Sequence, residues 1–203
     1  MNKPCSESCD QNKAVILSVI APLFSAYSTV LEIGSGTGQH AIYFAEKMPH
    51  LLWYTSDCLP YLDGINMWLK EAEISNVIEP FELNVTSSSW PILEVDAVFT
   101  ANTLHIMNDQ DVESFMAGVG ELLQPEGSLL IYGPFNYGGS YTSASNKSFD
   151  QWLKSRDSLS GIKHIESVVS LANDNGMQLR DDYEMPANNR ILHFIKGPSI
   201  YYG

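Results

Sequence analysis

Short apolar runs recur along this chain, separated by segments whose apolar residues fall at helical spacing, and the alternation predicts an order of elements. The apolar stretch Ala14 to Phe24 predicts an N-terminal helix packed on a sheet. Val30, Leu31 and Ile33 form a buried strand broken only by Glu32, and a helical pattern from Ala41 to Lys47 follows, stopped by Pro49. Leu51 to Ser56 predicts a second strand with Asp57 at its end, then a helix over Leu59 to Ala72. Pro80 to Val85 and Ala97 to Ala101 predict two more strands. A helix over Asp111 to Leu123, closed by Gln-Pro-Glu-Gly, leads to a fifth strand at Ser128 to Tyr132. Strands alternating with helices in this way imply βαβ units and a mainly parallel sheet covered on both faces.

Beyond Gly133 the pattern changes. Residues 133–146 are rich in Gly, Tyr, Ser and Asn and read as a long loop. Phe149 to Ser155 and Ile165 to Asn175 predict helices, and Gln178 to Met185 and Arg190 to Lys196 predict two strands around Pro-Ala-Asn-Asn. The expectation is one domain over 1–203, with a helical segment over 1–28 and a loop and helix insertion over 133–163 that covers the site.

Charge and composition narrow the partners. A formal net charge of −13, with only 11 Lys and Arg, disfavours a nucleic-acid substrate and an anionic membrane surface, and leaves a small molecule as the simplest substrate. Cys5, Cys9 and Cys58 are odd in number and lack zinc spacing, which fits a reducing, cytoplasmic setting. The stretch before Phe24 is too short to span a bilayer. Oligomeric state is not legible.

The chemistry concentrates between Val30 and His40, which read VLEIGSGTGQH. A strand, the turn Gly34-Ser35-Gly36-Thr37-Gly38 and a helix start make a nucleotide-binding corner, where glycine allows positive φ and the helix offers free N–H donors. The dinucleotide fingerprint needs a third glycine where this chain has Gln39. Glu32 would repel a pyrophosphate and suit a ligand carrying an amine. This acid-bearing strand with G-x-G-x-G resembles the first motif of class I S-adenosylmethionine-dependent methyltransferases.

Other candidates stand at strand ends, where open parallel sheets bind ligands. Asp57, nineteen positions after Gly38, suits a bidentate bond to a ribose diol, or else caps the next helix. Asn84 and Val85, ending the third strand, offer a side-chain carbonyl and a backbone N–H to an adenine, or else only a turn. Asn102 and His105 follow the fourth strand beside the expected reactive methyl. Asn102 would touch the cofactor, and His105 is the best general base in the chain, or else a packed structural histidine. No Asn-Pro-Pro-aromatic motif, metal-ligand spacing or G-x-S-x-G elbow is present. Phe135, Tyr137 and Tyr141, with a hinge at Gly138 and Gly139, could close over a substrate.

Over nearly its whole length the chain resembles a family of methyltransferase-like proteins. The resemblance rests on Asn12-Lys13, VLEIGSGTGQHAIYFAE from Val30, Ser56-Asp57 and AN-x-x-HI from Ala101. It continues with YGPF from Tyr132, GG-x-x-TS-x-SN from Gly138, Phe149-Asp150, Arg156-Asp157 and EMPANN from Glu184. It implies an α/β, Rossmann-like, seven-stranded and mainly parallel sheet with helices on both faces and an antiparallel last strand. It also implies S-adenosyl-L-methionine as cofactor. The family's Asp at the third strand end is Asn84 here, and Gly34 replaces an Ala of relatives.

The expected activity is methyl transfer to a small-molecule acceptor. Glu32 and the glycine turn would hold the amino-acid portion, Asp57 the ribose, and Asn84-Val85 the adenine. Asn12 and Lys13 would cover the cofactor, while the loop with Asn188 and Asn189 would shape the acceptor pocket. The alternatives are a non-catalytic binder of S-adenosylmethionine or S-adenosylhomocysteine on the same fold, and a nicotinamide-dependent oxidoreductase, which the glycine spacing disfavours.

Overall fold

The computed structural model describes residues 3–198. In chain order the elements are α1 (Glu7–Leu23), β1 (Thr29–Ile33), α2 (Gln39–Lys47), β2 (Leu52–Asp57), α3 (Leu62–Ala72), β3 (Val77–Glu82) and β4 (Val95–Ala101). There follow α4 (Asp109–Leu122), β5 (Leu123–Gly133), α5 (Ala144–Arg156), α6 (Ile165–Asp174), β6 (Met177–Met185) and β7 (Asn189–Lys196). The strands lie in the order β3-β2-β1-β4-β5-β7-β6. β1 pairs in parallel with β2 on one side and β4 on the other, so the winding reverses direction at β1, the switch point where such sheets bind ligands. The last strand, β7, runs antiparallel to both its neighbours, β5 and β6. The fold is the α/β, Rossmann-like, mainly parallel sheet with an antiparallel last strand that the sequence predicts.

Side-chain alternation on the strands feeds two cores. On one face Ile16, Ile20 and Phe24 of α1 and Phe44 of α2 pack on Val30, Trp53 and Phe99. On the other, Val112, Phe115, Met116 and Val119 of α4 and Val168 and Ala172 of α6 pack on Leu31, Ile33, Val98 and Ile131. Period two puts Glu32 on the same face as Val30, inside the aromatic core beside Trp53.

Several element boundaries differ from the sequence expectation, four of them in ways that bear on the site or its surroundings. α1 starts at Glu7, because Ser6 caps it by accepting the Cys9 N–H (3.4 Å), so its polar first half carries no apolar signal. α5 starts at Ala144 because Ser143 accepts the Asn146 N–H (3.0 Å), which shortens the preceding loop. β5 begins at Leu123 and runs through Gln-Pro-Glu-Gly, with a register shift opposite Val95–Ala97 and Glu126 at φ 64°. β3 spans Val77–Glu82, so Asn84 and Val85 do not end the strand but follow it in a turn.

Candidate functional site

The three turn glycines all have positive φ, 75° at Gly34, 59° at Gly36 and 86° at Gly38. The Gly34 and Ser35 N–H groups both donate to the Ser56 carbonyl (3.0 and 2.9 Å), which ties the corner to β2. A Cβ on Gly34 would lie 2.8 Å from Thr103 Oγ1, and one on Gly38 would lie 3.2 Å from Ile65 Cγ2. An alanine at position 34 therefore has to displace Thr103. Gly36 differs, because its Cβ would meet nothing within 4 Å. That glycine faces open space.

The open space is a cavity of about 800 Å³, a size ordinary for a cofactor site. It brings together Gly34, Ser35, Gly36, Asp57, Asn84, Val85 and Asn102. Asp57 closes the corner: its Oδ2 accepts the Gly36 N–H (2.7 Å) and its Oδ1 the Cys58 N–H (2.7 Å). Burial raises its carboxyl above the ordinary range even though both bonds favour the charged form. Asn102 borders the cavity at φ 60°, its N–H bonded to the Tyr132 carbonyl (2.9 Å). Asn84 Oδ1, the atom offered to an adenine, instead accepts from the N–H (3.1 Å) and hydroxyl (2.9 Å) of Thr86.

Three candidates stand off the cavity wall. Gly38 caps α2 and packs on Ile65. Glu32 is buried beneath the corner, its Oε2 accepting the Trp53 indole N–H (3.2 Å). Burial pushes its carboxyl up to about 7, with the Asp57 charge adding to the rise and bonds from Trp53 and Ser35 opposing it. The unfolded chain ionises Glu32 near 4.5 while the folded chain keeps the proton to about 7, so stability falls as pH rises through that window. Glu32→Gln, which still accepts from Trp53, is expected to gain stability above pH 7, by up to ~3 kcal/mol. Urea unfolding of both proteins from pH 5 to 8 checks this; parallel stability–pH curves would refute it.

His105 is the third. It sits in a short 3₁₀ turn, Leu104–Ile106, with its ring edge-on to Phe149 of α5 (centroids 5.1 Å apart). Burial, with Lys163 nearby, pushes its pKa down to about 4. Residues 133–163 do not border this cavity either. The Tyr137 hydroxyl donates to Asp182 (2.8 Å) and that of Tyr141 to Asp150 (2.7 Å), while Asn146 Nδ2 donates to the Asn188 carbonyl (3.1 Å).

Sequence reasoning missed one wall of the cavity. Pro4, Ser6, Ser8 and Cys9 line it from the N-terminal side, together with His40. His40 Nε2 meets Asn12 Oδ1 (2.7 Å), so the Asn12-Lys13 signal marked this wall without showing what it holds. Lys13 itself pairs with Asp10 (2.6 Å).

Elsewhere, Ser128 Oγ lies 2.9 Å from His193 Nε2, and His193 Nδ1 lies 3.5 Å from Asp181. These are the atoms of a hydrolase triad, but Ser128 is 1% exposed and bonded to the Tyr27 hydroxyl (2.8 Å), so substrate cannot reach it. The group joins β5, β6 and β7. Among the described residues no three His, Cys, Asp or Glu side chains gather as a metal site, and no helix is long and apolar enough to cross a membrane.

Methyltransferases are among the solved structures that share this fold. An O-methyltransferase family protein from Burkholderia thailandensis matches with a TM-score of 0.84 at 16% identity, over 94% of this chain and 57% of its own. Human N-acetylserotonin methyltransferase, solved with S-adenosylmethionine, matches at 0.78 and 16% identity over 94% and 53%. An O-methyltransferase family 2 protein from Planctomyces limnophilus, solved with apigenin, matches at 0.78 and 14% over 93% and 60%. This chain thus spans little more than half the length of these proteins. A family model matches residues 3–196, and the chain belongs to the family described as protein of unknown function, DUF938.

Proposed function

We propose that this protein is an S-adenosyl-L-methionine-dependent methyltransferase acting on a small molecule. The observation that carries the reading is the corner itself. Gly36 opens onto a cavity of about 800 Å³ at the switch point, and its N–H is held by Asp57 at the end of β2. A nucleoside with an amino-acid tail fits this donor and acceptor set. The Gly34–Gly36 backbone, above the buried Glu32, faces the tail; Asp57 retains lone pairs on both oxygens for a ribose diol; Val85 lies where an adenine edge needs a backbone partner.

The cofactor would supply a sulfonium-activated methyl group. The chain's own contribution is then alignment and exclusion of water, which can account for roughly 7–11 kcal/mol of a barrier. Asn102, fixed by its strained φ and its bond to Tyr132, borders the space where an acceptor would lie. Two of the structural neighbours are O-methyltransferase family proteins, one of them solved with apigenin, which favours a small hydroxyl-bearing acceptor. Isothermal titration calorimetry is expected to show one site per chain for S-adenosylhomocysteine. No heat and no thermal stabilisation at millimolar ligand would overturn the proposal.

The second reading is a binder of the same cofactor without turnover. It is favoured by the burial of His105 away from the cavity wall, where it meets Phe149. Methyl transfer to any physiological acceptor would exclude it.

A further inference from the structure

The sequence places Gln39 where a dinucleotide fingerprint has its third glycine, and the structure gives that side chain a different task. Its Oε1 accepts the Ser6 N–H (2.6 Å) and its Nε2 donates to the Ser6 carbonyl (3.4 Å), so the amide pairs with the backbone as a neighbouring strand would. Thr37 Oγ1, inside the glycine turn, donates to the same Oε1 (2.9 Å). One side chain therefore joins the turn to the segment before α1.

A second anchor holds that segment from α3. The Trp68 indole N–H donates to the Pro4 carbonyl (2.6 Å), and Lys3 lies over the Trp68 ring (3.6 Å) while pairing with Glu71 (2.6 Å). The Pro4 ring occupies the space left by Gly64, where a Cβ would come within 2.7 Å of it. The anchored residues Pro4 and Ser6, with Ser8 and Cys9 in the first turn of α1, form a wall of the cavity. The segment thus bridges α2 and α3 along one wall of the cavity, and few buried apolar contacts hold it, since Pro4, Cys5 and Ser6 are all partly or fully exposed. A segment held by a few polar bonds opens locally at small cost.

We propose that Lys3–Cys9 is a strap that completes the cofactor site, latched by Gln39 and Trp68, and that bound cofactor leaves only when the strap lifts. This rests on the cofactor reading above. Neither latch side chain borders the cavity, so both can be changed without removing a residue of its wall. The loss of one hydrogen bond of this kind changes a closing equilibrium by about three- to tenfold.

The test uses S-adenosylhomocysteine as the probe and the full chain. In Gln39→Leu and in Trp68→Phe, its release followed by surface plasmon resonance is expected to be about three- to tenfold faster, and in the double variant at least tenfold faster. In the unaltered protein, hydrogen–deuterium exchange of the peptide covering residues 4–12 is expected to slow on adding the probe, a result that needs no substitution. Exchange of that peptide in ligand-free Gln39→Leu is expected to be faster than in the parent. Binding with unchanged release and unchanged exchange would overturn the strap alone. Absence of binding in the parent protein would instead overturn the cofactor reading, and the strap's role with it.

Discussion

Asp57→Ala is expected to weaken S-adenosylhomocysteine binding at least a hundredfold. A carboxylate holding a ribose diol makes two bonds to a charged acceptor, each worth about 1.5–3 kcal/mol, and 2.7 kcal/mol is already about a hundredfold. The same substitution removes the acceptor for the Gly36 N–H and for the Cys58 N–H, both at 2.7 Å, so the corner loses its tie as well. Asp57→Asn separates charge from shape. Both oxygens face an N–H donor, so the asparagine must turn its own NH₂ towards one of them, donor against donor. It is expected to bind at least tenfold more weakly despite its equal size. Calorimetry of the three proteins, with ligand-free thermal melts as a folding control, decides the matter. An alanine variant within threefold of the parent would remove Asp57 from the site.

Phe44→Ala is expected to cost about 3–5 kcal/mol of stability, the usual range for emptying a buried phenylalanine site. Phe44 is fully buried and lies at the centre of an aromatic group. It stacks on His40 (5.2 Å between centroids), meets Phe99 edge-on (5.5 Å) and packs on Trp53 (5.7 Å). These residues belong to α2, β4 and β2, so the cavity left behind cannot close by moving one side chain. Domains of this kind are stable by only about 5–15 kcal/mol, so roughly a fifth or more of the total is at stake. Equilibrium urea unfolding is the measurement, with a lowered midpoint and a nearly constant m-value expected. A loss below 1 kcal/mol would show that this aromatic group is not a keystone of the α1 and α2 face. His40 turns its ring onto Phe44 and lines the cavity, so weaker binding is expected to accompany the lost stability.

The residues whose placement was legible from sequence share a trait: the strand and turn around them fix where they stand. The glycine turn is an example. Successive positive φ values between a strand and a helix can be read from Gly34, Gly36 and Gly38 without knowing what surrounds them. Asp57 was legible because the parallel pairing of β1 and β2 puts the ends of adjacent strands side by side. His105 was not, because its residue type suggests chemistry whereas its burial against Phe149 depends on where α5 packs. Asn84 was misplaced because Val77 to Val85 reads as strand at either register, and the pairing with β2 ends it at Glu82. The strap was invisible, since Pro4, Ser6 and Ser8 carry no periodic apolar signal and acquire meaning only from Gln39 and Trp68, more than thirty and sixty positions away.

The sequence by itself determined the alternation of strands and helices and the glycine corner after β1. Those properties follow from side-chain spacing and backbone freedom, which are written residue by residue. Only the tertiary structure decided which faces meet. It buried Glu32 against Trp53, turned His105 under α5 and drew the N-terminal segment along one wall of the cavity to Trp68. Contacts between residues far apart in the chain depend on how the whole sheet packs, and no local pattern encodes that.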